Sequence, residues 1–243
     1  MEQIGLLHDG QIYDLQTAEA LNIKGDIIKA DDSKESLEIL RHSCAHMMAQ
    51  AIKELYPEAK FFVGPVVKEG FYYDFKVESK ISDEDLPTIE KKMKEIADRK
   101  LPITRHETTK EEFYEKFKND ELKQAVLKNI KDDTLTIYKQ GDFEDLCRGP
   151  HLPNTRMIRS FKLTRVAGAY LGGDEKNEMI TRIYGIAFFD KQALFDYTKM
   201  IEEAKKRDHR KLGTELELFT FNDDVGAGLP MWLPNGARLR SKL

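Results

Sequence analysis

Between Leu135 and Phe189 the chain offers three strand-like runs with no helical segment between them. They are TLTIYKQ, FKLTRVAGAYL and MITRIYGIAFF. Strands that follow one another through short connections pair antiparallel, because a parallel partner needs a long crossover. Gly172-Gly173-Asp174 supplies the tight turn between the last two. Hairpin-like connections thus predominate over βαβ crossovers and predict an α+β fold with mainly antiparallel sheet and packed helices.

The rest of the chain fits that class. Residues 1–30 hold short apolar pieces about an Asp9-Gly10 turn, then TAEALNI, which predicts a hairpin with a short helix. Leu37, Leu40, Met47, Ala51 and Leu55 recur at helical spacing, with Asp32 and Glu35 as a capping box and Pro57 as the stop. FFVGPVVKEGFYYDF reads as two strands about Lys68-Glu69-Gly70. A second helix carries Leu86, Ile89, Met93 and Ile96 on one side. PITRHETT is a further strand, Thr109 and Glu112 cap a short helix, and DELKQAVLKNI forms another. A long charged amphipathic helix runs from Lys191 to Leu212 as a connector. The remainder, to Leu243, is too short to build a core of its own.

A formal net charge of −4 confines any nucleic-acid surface to a local patch. Two cysteines cannot form a disulfide framework, and no signal peptide or membrane-length apolar run is visible. A cytoplasmic protein is the expectation.

Chemistry concentrates in two spacings. RHSCAH places His42 and His46 four residues apart, and DLCRGPH does the same for Cys147 and His151. On a helix the two histidines lie about 40° apart, and about 170° from the centre of the apolar stripe. They therefore face solvent, a cleft or a second layer. Gly149-Pro150 puts the second pair on a loop. Three readings stand open: a tetrahedral N₃S zinc site, a metal-free hydrolytic site that positions water, and coincidence. The zinc-protease HEXXH pattern is excluded, since HSCAH lacks the glutamate.

These motifs, together with GPVVKEGFYYDF, GAYLGGDEKNEMITRIYGIAF, HRKLGTELELF and LPMWLPNGARLRSKL, resemble threonyl-tRNA synthetase of the bacterial type. The resemblance covers roughly residues 30–243. It implies a short N-terminal segment at 1–30, where the family's β-grasp module is reduced or absent. It further implies an editing domain at 31–190, a linker helix at 191–212 and a truncated start of the class II catalytic domain at 213–243. The expected activity is hydrolysis of mischarged Ser-tRNA(Thr), within an enzyme that threonylates tRNA(Thr) using ATP. One missing methyl is worth only about 1–3 kcal/mol in a pocket, so a second, hydrolytic sieve is the physical remedy. Alternatives are an alanyl-type editing domain and a non-catalytic zinc-stabilised tRNA-binding module.

The resemblance assigns catalysis to His42, His46, Lys123, Cys147 and His151, and substrate binding to Tyr73 and Asp145. Lys123 and one histidine would position and activate water. Arg156, Arg159, Lys162 and Arg165 would receive the tRNA acceptor end. No metal is assigned to this chain. ATP, magnesium and a catalytic zinc belong to the full-length enzyme, which is expected to be a homodimer. Aminoacylation is not expected of these residues alone.

Overall fold

The computed structural model describes residues 1–128, 130–222, 226 and 228–242. They divide into two compact units, Met1–Leu194 and Phe195–Leu243.

The first unit opens with β1 (Gln3–His8) and β2 (Gln11–Asp14), a hairpin whose turn residues Asp9 and Gly10 both take positive φ. Asp14 caps α1 (Leu15–Ala20) by accepting from Thr17 N at 2.8 Å. A third strand, β3 (Asp26–Lys29), pairs with β1 on its other edge. The sequence reading had only a hairpin and helix here. The short DIIK run owes its strand character to the edge that β1 offers it.

The long helix α2 (Lys34–Leu55) is central. The expected Asp32 cap is not used. Ser33 is the N-cap residue, and the Asp32 carboxylate instead accepts from Phe189 N at 2.7 Å and Asp190 N at 3.4 Å. The helix is buried nearly all round. Ser43, Cys44, Ala45, Ala49 and Ala51 are small enough for neighbouring elements to close on several sides at once. The face opposite the apolar stripe therefore meets a second layer, not solvent.

Next come β4 (Lys60–Phe61), β5 (Val66–Val67), β6 (Gly70–Lys76) and α3 (Leu86–Asp98). Leu86, Ile89, Met93 and Ile96 are the buried stripe of α3. Then follow β7 (Ile103–Thr109), α4 (Lys110–Lys116), α5 (Glu121–Lys128), β8 (Thr134–Gln140) and β9 (Phe143–Leu146). The Thr109–Glu112 capping box at α4 is formed in both directions. β10 (Ser160–Tyr170) and β11 (Met179–Phe188) make the longest hairpin.

All strand pairs are antiparallel. One sheet runs β10-β11-β6-β4, with β5 also on β6; a second runs β7-β8-β9. The fold is α+β, and α2 lies among these layers.

An ion pair on the larger sheet has a measurable consequence. Arg182 holds the buried Asp74 carboxylate through two bonds, 2.6 and 2.7 Å, and lies 3.9 Å over the Tyr72 ring. Replacing Arg182 with leucine strands a buried carboxylate, so urea denaturation should report a loss of about 3 kcal/mol. Arg165→Leu removes only an exposed guanidinium stacked on Tyr184, and should cost less than about 1 kcal/mol.

The expected connector helix is two helices. α6 (Lys191–Lys206) stops at Arg207, and Asp208 caps α7 (His209–Glu215) by accepting from Arg210 N at 2.8 Å and Lys211 N at 3.4 Å. An aspartate that can bond its own downstream N–H groups favours a new helix start over continuation. The second unit ends with β12 (Phe219–Phe221), β13 (Pro230–Trp232) and α8 (Pro234–Arg240). No helix among the described residues is long and apolar enough to cross a membrane.

Candidate active site

α2 presents His42 and His46 one turn apart, and β9 leads directly into the loop that carries Cys147 and His151. One potential ligand atom from each of the four lies within 4.8 Å of all the others. The Cys147 Sγ is 3.2 Å from His42 Nε2 and 3.2 Å from His151 Nε2. The His151 ring lies 4.3 Å from both His42 and His46.

The loop is shaped from within. Gly149 takes φ +77°, its N–H donates to Cys147 Sγ at 3.2 Å, and Gly149-Pro150 is cis. Ser43, inside the RHSCAH motif, gives its proton to Ile39 O at 2.9 Å and accepts from Leu152 N at 2.8 Å. Its oxygen is 3.2 Å from His151 Nδ1, which must therefore carry the hydrogen. That tautomer leaves His151 Nε2 as a lone pair facing the thiol. The His42 ring is likewise held by the Pro150 carbonyl. Among the described residues no hydrogen bond engages the ring of His46, so its nitrogens remain able to bind a guest.

Burial dominates the electrostatics. It draws His42 down to about 4, and it holds His46 and His151 well below the usual imidazole range, with the neighbouring histidines adding to the effect. It pushes the Cys147 thiol up, against the opposing N–H of Gly149. At neutral pH the cluster is three neutral imidazoles and a thiol, not a thiolate nucleophile.

Beside it lies a second buried group. Lys123 on α5 donates to Asp145 on β9, and Tyr73 on β6 donates to the same carboxylate. Leu146 N adds a bond of 2.7 Å. Burial lowers Lys123 to about 8 and raises Asp145 well above the carboxylate range, so both move toward their neutral forms. Lys123 is 4% exposed, which rules out a lysine standing in water. An open cleft of about 320 Å³ is lined by Val126, Ile130, Thr136, Leu146 and Cys147.

The basic residues are placed differently. Arg156 and Arg159 precede β10, and only Lys162 and Arg165 lie on it, where a bulge between Leu163 and Arg165 breaks the alternation. The four therefore do not lie on one strand, while the bulge turns Lys162, opposite Ile186, and Arg165, opposite Tyr184, to the same face. Arg159 is already paired with Asp98 at 2.6 Å.

Residues 135–184, which include β9 and the Cys147 loop, match the domain family described as the second additional domain of threonyl- and alanyl-tRNA synthetases. The whole chain is 67% identical over 242 residues to the threonine–tRNA ligase of Campylobacter jejuni (strain 81116), and 65% identical over 242 residues to that of Helicobacter hepaticus. Against the Campylobacter lari enzyme it is 71% identical over 213 residues, 88% of this chain and 35% of the relative. This chain matches the N-terminal region of threonine–tRNA ligases. It spans about 40% of the length of the C. jejuni and H. hepaticus ligases.

Three residues around the site had escaped the sequence reading: Asp14, Ser43 and Tyr138. Asp14 accepts from His151 N at 3.0 Å and from Tyr138 OH at 2.6 Å. In the sequence Asp14 stands in a short stretch ahead of TAEALNI and Tyr138 in the TLTIYKQ run, and neither position carries a local sign of chemistry. Ser43 lies inside RHSCAH, where the histidine spacing is the stronger signal.

Proposed function

We propose that this site hydrolyses the ester of mischarged Ser-tRNA(Thr), as the editing part of a threonine–tRNA ligase. The observation that carries the reading is the convergence of His42, His46, Cys147 and His151 within 4.8 Å, beside a buried lysine drawn toward neutrality. Neutral imidazoles accept protons, and so does the Lys123 amine once it frees its own proton near pH 8, so water is the nucleophile such a site can activate. The water oxygen attacks the ester carbonyl and gives its proton to His46 or Lys123. The bond to the terminal ribose breaks, the ribose oxygen is protonated, and serine leaves. A buried thiol that keeps its proton does not compete as nucleophile. Cys147 instead gives its one proton to a single ring nitrogen at a time, His42 Nε2 or His151 Nε2, each 3.2 Å away. When the substrate's ammonium binds, Asp145 serves as its carboxylate partner in place of Lys123, with Tyr73 beside it for a hydroxyl. The tRNA(Thr) acceptor end is the proposed partner, with Lys162 and Arg165 on its path. ATP-dependent threonylation, with magnesium and a catalytic zinc, is proposed for the full-length protein and not for these residues.

The test is deacylation of Ser-tRNA(Thr), Thr-tRNA(Thr) and Ser-tRNA(Ala) by the chain and by its His42→Ala and Cys147→Ala variants. The expected result is selective loss of the seryl group from tRNA(Thr), slowed at least about tenfold in each variant. Equal loss of serine and threonine would refute the assignment. A preference for Ser-tRNA(Ala) would move it to the alanyl class.

One observation favours a second reading. In a tetrahedral zinc site the sulfur-to-nitrogen edge is about 3.5 Å, close to the spacing around Cys147, and the other nitrogens of His42 and His151 are tied to Pro150 and Ser43 as ligand imidazoles commonly are. Zinc at one equivalent per chain, with unfolding on chelation, would support that reading. Metal well below stoichiometry would eliminate it.

A further inference from the structure

We propose that Asp14, carried by the N-terminal sheet, is the positioning residue that sets the Cys147–His151 loop against His42 and His46. Asp14 is 2% exposed, and each of its oxygens is used. Oδ1 caps α1 through Thr17 N at 2.8 Å. Oδ2 accepts both Tyr138 OH at 2.6 Å and the backbone N–H of His151 at 3.0 Å. The second bond fixes the residue whose ring reaches Cys147, from a carboxylate 137 residues earlier in the chain.

The loop lies directly on this pair. A Cβ at Gly149 would stand 2.6 Å from Tyr138 Oη and 2.7 Å from Asp14 Oδ2, so only glycine permits the approach. The Tyr138 ring lies 4.5 Å from His151, and the Tyr138 hydroxyl is also 2.9 Å from Thr17 Oγ1. The sheet is itself anchored: Gln16 donates to Ile103 O at 2.6 Å and accepts from Arg105 N at 2.7 Å, which ties α1 to β7. Residues 1–30 are thus part of the site's supporting frame. Bonds to a carboxylate are stronger than bonds to a neutral acceptor, and losing Asp14 takes from the buried His151 N–H the acceptor it uses. An asparagine offers one oxygen and one NH₂ group. It can cap α1 or hold the loop, not both.

The kinetic part of the test rests on the proposed hydrolysis; the structural part does not. Asp14→Asn and Tyr138→Phe are made in the 243-residue chain. The readouts are Ser-tRNA(Thr) deacylation, melting temperature and amide hydrogen exchange at His151. For Asp14→Asn, kcat should fall about 10- to 100-fold with KM within about twofold, because a loop displaced by about 1 Å loses reactive geometry, not substrate contact. The His151 amide should exchange at least about tenfold faster. Tyr138→Phe removes one of the donors to Asp14 and keeps the ring, so its kcat should fall about 3- to 10-fold, with the His151 amide exchanging about threefold faster. If Asp14→Asn does not fold, Tyr138→Phe carries the test, and a kcat and a His151 exchange rate equal to wild type overturn the proposal. An unchanged kcat in Asp14→Asn, or a loss that only tracks the unfolded fraction with the His151 amide unmoved, also overturns it. If the wild-type chain deacylates nothing, the hydrolytic reading fails by itself, and the His151 exchange rate alone decides the positioning claim.

Discussion

Replacing Lys123 with methionine is expected to lower kcat for Ser-tRNA(Thr) deacylation about 100-fold or more while leaving the chain folded. The magnitude is that of a lost general base. The wild-type rate, corrected for spontaneous hydrolysis, should rise with pH through about 8 as the Lys123 amine frees its proton, and this limb should vanish in the variant. Stability should rise with pH as well. The folded-state pKa of Lys123, about 8, lies below its ordinary 10.5, so the unfolded chain binds more protons between those values. Stability therefore rises with pH across that window, and at neutral pH the buried ammonium costs stability. Methionine removes that cost. Asp145, pushed upward by burial, then takes a proton and keeps its contact with Tyr73. A melting temperature within a few degrees of wild type beside a collapsed rate is the expected pair of results. A loss of less than threefold with the limb intact would reduce Lys123 to a partner for Asp145.

The second large effect is acid sensitivity. His42 is drawn to about 4, and His46 and His151 well below 6.5, chiefly by burial. In each case the unfolded chain binds the proton more readily. The neutral imidazoles' contribution is complete above pH 6.5 and is lost as pH falls from there toward 4. His42 alone accounts for about 2 kcal/mol once the partial exposure of its ring is allowed for. Asp145 works in the other direction, gaining stability when it is protonated, but it is one group against three. Against a typical total of about 5–15 kcal/mol, the combined loss is large. Urea midpoints with chelator at pH 7.5, 6.5, 5.5 and 4.5 should fall steeply below pH 6.5, and a His46→Asn/His151→Asn variant should show a shallower fall. A flat profile in the wild type would mean that the imidazoles are solvated and the cluster is not closed.

Some of this could be read directly from residue order. The Thr109–Glu112 box, the α3 stripe, the β10–β11 hairpin and the antiparallel character of the sheets depend on neighbours within a few positions, where side-chain periodicity and turn chemistry act. The same locality explains the errors. Asp32 had the spacing of a cap, but the amides of Phe189 and Asp190, some 157 residues away, claimed its carboxylate. A single helix from 191 to 212 overlooked that Asp208 would rather start a helix than sit inside one.

For the site, residue order by itself determined which side chains share a helix turn and which share a Gly-Pro loop, because a spacing of four is a property of the local backbone. Only the tertiary structure decided that the two pairs face one another, that Lys123 is buried against Asp145 and Tyr73, and that Asp14 holds the loop from the far end of the chain. Those relations are set by which layers close around α2, and closure is a matter of desolvation and packing between segments from 22 to 137 residues apart, for which a linear pattern carries no period.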